Sequence, residues 1–212
     1  MNLRFLTSED LPQVARVHSR AFPRTAMAKL GLEALRRYYY SLMHYDEGAK
    51  AIGAFVDDRL IGFCFVGIRR QSDRTFLRHN FVFVAWRIAL NPRLLREPMF
   101  RDRIVLGVRL IRELLSQPFR RRRERTAGTE VAPEPRSFGI QYLATDPAFH
   151  GHGVGKALLG AGEQLSRELG YREIHLGVVP ENRHAIGFYQ HMGWSKVPDG
   201  ASWTGLMHKS LA

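Results

Sequence analysis

The 212-residue sequence has one cysteine, no uncharged apolar run approaching twenty residues, and far fewer acids than bases. Each shortage excludes something. Cys64 alone cannot close an internal disulfide, and it lies within the apolar run Leu60–Ile68, so it reads as a small core residue in a chain suited to a reducing compartment. Spanning a bilayer takes about 20 consecutive apolar residues, and the chain has no such run. Met1–Asp10 has no apolar region of signal-peptide type. The expectation is a cytoplasmic protein, with contact at a membrane surface as the variant to test. A chain of this length can bury one full core, and residues 1–212 are read as a single domain.

The 20 acids against 32 bases leave a net charge of +12, and the excess is unevenly placed. Sixteen arginines and five acids lie between Arg69 and Arg125, so eleven of the net charges sit in that segment. The same region, about residues 71–136, is too long for a plain connection between strands and reads as a helical basic insert. Ile104–Ser116 has an amphipathic helical pattern, with Ile104, Val108, Ile111 and Leu115 on one line. Phe81–Leu90 is apolar almost all round, and its pattern fits either a buried helix or the start of a strand. Arg120–Pro135 reads as a return linker. Such an insert suits a lid with solvated arginines, or a platform for an anionic or lipid-linked substrate or a membrane surface. Nucleic acid is disfavoured, because no aromatics interleave with Arg120–Arg123.

The segment Tyr142–Leu159, YLATDPAFHGHGVGKALL, joins an apolar strand pattern to an apolar-periodic helix through glycines at 151, 153 and 155. Glycines there let backbone amides converge on an anion, with the helix N-terminus adding positive potential. The spacing is not that of a P-loop, because Lys156 is followed by Ala157 and not by a hydroxyl residue; nor is it the G-x-G-x-x-G of a dinucleotide fold. His150 and His152 have no acidic or cysteine ligands with them, so no metal site is expected.

This segment resembles the acyl-CoA-binding motif of the GNAT superfamily of N-acetyltransferases through Leu143, Thr145, Pro147, His150, Gly151, Gly153, Val154, Gly155, Leu158 and Leu159. A second resemblance follows: Leu176-Gly177-Val178-Val179 as a strand, Glu181–Tyr189 with Asn182, Ala185, Phe188 and Tyr189 as a helix, then Met192-Gly193-Trp194. The N-terminal half has matching patterns. These are a strand at Arg4–Thr7, a helix with the inward stripe Leu11, Val14, Ala15, Val17 and His18, a helix over Leu30–His44, and a hairpin of Ala51–Val56 and Leu60–Ile68 across Asp57-Asp58-Arg59. The fold class implied is α/β, the GNAT acyl-CoA N-acyltransferase fold, a mixed and mostly antiparallel sheet with splayed central strands and a helical insertion.

The resemblance also implies an activity: transfer of acetyl from acetyl-CoA to a primary amine on a small molecule, such as an amino sugar. The alternatives are a protein N-acetyltransferase, or a non-catalytic acyl-CoA sensor or membrane-surface adaptor. The insert looks, more loosely, like that of some bacterial members from surface-polysaccharide gene sets. Cofactor-binding positions carried over are Leu143, Ala144, Thr145, His150, Gly151, His152, Gly153, Val154, Gly155, Lys156 and Asn182. Asn182 has a second reading, as a helix cap. Tyr189 is the candidate catalytic acid, as a hydrogen-bond donor or after a lowering of its pKa. His150 stands where relatives have Arg or Gln, and a diphosphate would draw its imidazole toward the charged form. No general base is evident. Gln141 occupies a strand position where many relatives have Glu, and His175 reads as structural. The sequence leaves the oligomeric state open.

Overall fold

The computed structural model describes residues 1–45, 49–68, 72–96, 138–198 and 203–211. Strand β1 (Asn2–Phe5) leads through a 3-10 turn into helix α1 (Leu11–Ala21). At the turn the Thr7 amide donates to Asp10 at 2.8 Å, and Arg4 clamps the same carboxylate with contacts of 2.8 and 2.7 Å. The stripe Leu11, Val14, Ala15, Val17 and His18 is buried, as its 3.6-residue spacing implies. The helix expected over Leu30–His44 is α3 (Leu32–Tyr45), and a short helix α2 (Ala26–Leu30) precedes it. They part at Gly31, whose φ of 102° no helix continues.

The hairpin of β2 (Lys50–Val56) and β3 (Arg59–Ile68) closes through Asp57 and Asp58, both at positive φ (47° and 61°), a turn whose twist suits paired strands. Helix α4 (Ser72–Leu90) kinks at Asn80 and is followed by a 3-10 turn at Pro92–Arg96. Thus 81–90 is helical. It is not a buried helix, however: Phe81, Val82, Trp86 and Leu90 are 59–79% exposed, while Val84 is buried. The pattern named at 104–116 and the return linker lie outside the described residues.

The second half runs β4 (Phe138–Thr145), a 3-10 turn at Pro147–Phe149, α5 (Val154–Glu168), β5 (Glu173–Gly177), α6 (Arg183–His191), β6 (Ser195–Lys196) and β7 (Leu206–Ser210). One seven-stranded sheet results, in the order β1-β2-β3-β4-β5-β7-β6. Every pair is antiparallel except β4–β5, which α5 connects as a parallel crossover.

Each sheet face carries a hydrophobic cluster. Helices α1–α3, with Phe76, Val84 and Leu94 of the α4 region, cover one face. Helix α5 and Trp194 cover the other. Polar groups on the second face are paired: the Trp194 indole donates to Glu163 at 2.9 Å, and Lys209 Nζ reaches the same carboxylate at 2.7 Å. Those bonds fasten α5 to β7 through a carboxylate that burial would otherwise penalise. Among the described residues no helix is long and apolar enough to cross a membrane.

Candidate active site at the divergence of the central strands

Strands β4 and β5 pair at only two positions, Gly139 with His175 and Ile140 with Leu176. Beyond them β4 continues to Thr145 bonded to β3 alone. The approach is tight where they do meet, since a Cβ on Gly139 would fall 1.8 Å from the His175 carbonyl oxygen. The splay expected at this strand is therefore present. The Asp146 amide donates to the Ile61 carbonyl at 2.8 Å, which makes 61/146 a hydrogen-bonded pair. Antiparallel alternation then turns the amides of Ala144 toward β3, and those of Leu143 and Thr145 toward the side that β5 has left.

The chain next forms an open loop. Gly151 and Gly153 have φ of 79° and 75°, and a Cβ on either would meet nothing within 4 Å. Gly153 is the N-cap of α5 and offers no side chain to the amides of Val154, Gly155 and Lys156. His150 and His152 turn back onto the main chain: His150 Nε2 lies 3.3 Å from the Thr145 carbonyl, and His152 Nδ1 lies 2.9 Å from the His150 carbonyl. At Gly155 three elements converge. A Cβ there would sit 3.6 Å from the Phe188 ring of α6 and 3.7 Å from Thr145 Oγ1 of β4.

Asn182 is the N-cap of α6, its Oδ1 accepting from the Ala185 amide at 3.1 Å. The capping role weighed for it is thus realised, and among the described residues its Nδ2 makes no bond. Tyr189 packs against Phe188 and Trp194. Burial, then the Cys64 thiol, pushes its phenol well above the usual range. The lowered pKa considered for Tyr189 is not what its surroundings favour, because a buried phenolate loses hydration.

Residues 106–194 match the family model described as Acetyltransferase (GNAT) family. That stretch of the chain is similar to the GNAT family. The chain is 43% identical over 72 residues to the mycothiol acetyltransferase of Propionibacterium freudenreichii, covering 32% of this chain and 23% of that protein. It is 30% identical over 70 residues to an uncharacterized N-acetyltransferase of Methanocaldococcus jannaschii, covering 33% and 31%. These matches span less than a third of either relative's length. Among solved structures, the PaiA N-acetyltransferase of Thermoplasma acidophilum, in complex with coenzyme A, superposes with a TM-score of 0.54 at 17% identity, over 99% of both chains. The ribosomal-protein-alanine N-acetyltransferase of Brucella melitensis gives 0.55 at 14% identity, again over 99% of both. At such identities the likeness is one of fold.

Sequence reasoning missed the residues that hold the glycine loop in place. Asp146, 2% exposed, accepts from the Ala148 amide at 3.2 Å, from Arg20 at 2.7 Å and from Arg59 at 3.3 Å. Burial opposes its charge. The Ala148 amide and the two guanidinium groups outweigh that opposition and draw its pKa below the ordinary carboxylate value. The Asp-Pro step hinted at a turn, but its partners stand 126 and 87 positions away in the chain. A second missed feature is His18, which bonds Tyr39 Oη at 2.6 Å, with Tyr142 of β4 among its ring neighbours. Burial lowers its pKa to about 4 and keeps the imidazole neutral.

Proposed function

We propose that this protein transfers the acetyl group of acetyl-CoA to a primary amine. The observation that carries the reading is the uncapped glycine loop, open to solvent, at the end of a strand whose amide edge has lost its neighbour. The amides from Gly151 to Lys156, at the positive end of α5, would hold the diphosphate. Main-chain groups of Leu143, Ala144 and Thr145 would line the route of the pantetheine arm, with the amides of Leu143 and Thr145 turned away from β3 toward it. The Leu143 amide would stabilise an oxyanion. His150 and His152 flank the loop, and Asn182 retains its Nδ2 for the ligand. Tyr189 serves as a hydrogen-bond donor to the departing sulfur. Full proton transfer from an unshifted tyrosine to a thiolate is uphill by about 2 kcal/mol, and burial adds to that.

The acceptor is a small amine, an amino sugar being one form of it. An amine of pKa near 8 costs about 1.4 kcal/mol to deprotonate at pH 7 against about 4.6 kcal/mol for a lysine, which favours low-pKa acceptors at a site without an obvious base. The protein-acceptor alternative draws support from the ribosomal-protein-alanine N-acetyltransferase neighbour. Thiol release from acetyl-CoA across amino sugars, peptide N-termini and lysine peptides decides between them. Failure of every amine, with coenzyme A binding intact, would refute the transferase reading and leave an acyl-CoA sensor.

A second reading concerns location. Phe81, Val82, Trp86 and Leu90 are exposed apolar side chains on α4, in the segment that carries most of the net positive charge. That combination suits an anionic membrane surface. Co-sedimentation with vesicles containing anionic lipid should fall when Trp86 and Phe81 are both replaced by Ser, whereas an unchanged bound fraction would reject the reading.

A further inference from the structure

Only two buried side-chain polar atoms among the described residues lack a hydrogen-bond partner: Gln141 Oε1 and His175 Nδ1. They lie on the two strands that diverge at the site, next to their last paired positions. A buried acceptor without a partner is costly, and native proteins rarely keep one without a use.

Both side chains face away from the loop helix α5. On β5, Ile174 and Leu176 point into the α5 cluster, so Glu173 and His175 point to the opposite face. On β4, Ile140 and Leu143 enter the α5 cluster and Tyr142 enters the other. The register skips Gln141 between Tyr142 and Ile140, a bulge that sends Gln141 to the same side as Tyr142. A Cβ on Gly67, which pairs with Gly139, would lie 2.8 Å from Gln141 Nε2.

The hydrogen-bonding sense of each atom is set by its surroundings. Gln141 Nε2 donates to the Ile68 carbonyl at 3.0 Å, so the oxygen is the end left over, and it can only accept. His175 Nε2 lies 3.5 Å from Glu173 Oε1, which also receives His208 Nδ1 at 2.6 Å. A carboxylate on that side favours the tautomer with the proton on Nε2, leaving a lone pair on Nδ1.

Resting on the acetyl-transfer reading, we infer that Gln141 and His175 form an acceptor-recognition pair, one that binds a hydrogen-bond donor of the substrate remote from its reacting amine. The strand rise sets the distance. At about 3.3 Å per residue, Gln141 stands roughly 7 Å along β4 from Leu143, and the level of His175 roughly 13 Å. A simple monoamine cannot reach across that span. An acceptor with a hydroxyl or amide N–H several bonds from its amine can, as in an amino sugar or a short peptide. The pair is therefore a specificity and positioning element.

The test compares glucosamine and the dipeptide Ala-Gly with cyclohexylamine, which has no second donor. Wild type should favour the donor-bearing amines by on the order of a hundredfold in kcat/KM. Gln141→Leu and His175→Phe should each remove most of that preference through KM, with coenzyme A affinity by calorimetry within twofold of wild type. Preference retained in both variants would overturn the inference, and so would loss of coenzyme A binding in parallel with it. Nitrogen-15 spectra of labelled histidine, recorded with coenzyme A present, give a second readout free of turnover. A shift of the His175 Nδ1 signal on adding either donor-bearing amine supports the pair, and no shift with either refutes it. If coenzyme A binds but no amine is acetylated, the transferase reading falls, and the spectra alone judge whether the pair binds such amines.

Discussion

Replacing Gly153 with Ala tests the loop most directly. Its φ of 75° lies in the left-handed region, and the added methyl would meet no protein atom within 4 Å. The protein therefore suffers no clash, and the folding cost is the backbone conformation alone, about 1–2 kcal/mol. For a chain of this length that lowers Tm by roughly 2–8 °C. The open space the methyl enters is the space assigned to a diphosphate, so coenzyme A affinity should fall at least tenfold, about 1.4 kcal/mol. Gly160→Ala is the matched control. It sits inside α5, also with nothing within 4 Å of its Cβ, and has no positive φ. It should gain roughly 0.5–1 kcal/mol of stability and leave coenzyme A binding unchanged. Denaturant melts and titration calorimetry on both variants read out the two effects. Wild-type affinity in Gly153→Ala, or an equal loss in Gly160→Ala, would refute the assignment of the loop.

Three further outcomes are expected. Tyr189→Phe should lower kcat roughly tenfold, the worth of one transition-state hydrogen bond, and leave the KM for acetyl-CoA unchanged; unaltered turnover would remove Tyr189 from the chemistry. His18 has a folded pKa of about 4, against about 6.5 unfolded, so the unfolded chain binds the extra proton as pH falls between those values. Stability should drop by roughly 3 kcal/mol across that window, and His18→Gln should flatten the dependence measured by urea melts at about pH 7 and about pH 4. The depressed pKa of Asp146 acts lower: its contribution is present above the unfolded value near ~3.9 and is lost as pH falls through the folded one. Asp146→Asn should cost about 2 kcal/mol at pH 7 and weaken coenzyme A binding several-fold, whereas a loop anchored by other means would show neither change.

The glycine loop, the helix behind it and the Asn182–Tyr189 helix are readable in the chain because they are local. A left-handed turn demands glycine, a cap demands a short polar side chain, and a buried face repeats every three or four residues. The α1 stripe and the Asp57–Asp58 hairpin follow from the same short-range rules. The break at Gly31 was missed because apolar spacing continues through it, while the backbone angle does not. The exposed apolar side chains of α4 were misjudged because hydrophobicity reports what a residue prefers, not what covers it.

What tertiary structure alone decided are relations between distant residues. Asp146 meets Arg20 and Arg59 only because β3, β4 and α1 converge at one end of the sheet. His18 is neutral because Tyr39, Phe22 and Tyr142 enclose it. Gln141 and His175 look like ordinary strand residues until a bulge and a two-pair ladder leave one buried acceptor atom on each without a partner. Conformational preference is a property of a few neighbouring residues and can be written in their order. Desolvation and hydrogen-bond satisfaction depend on which surfaces the fold brings together, and no local pattern encodes that.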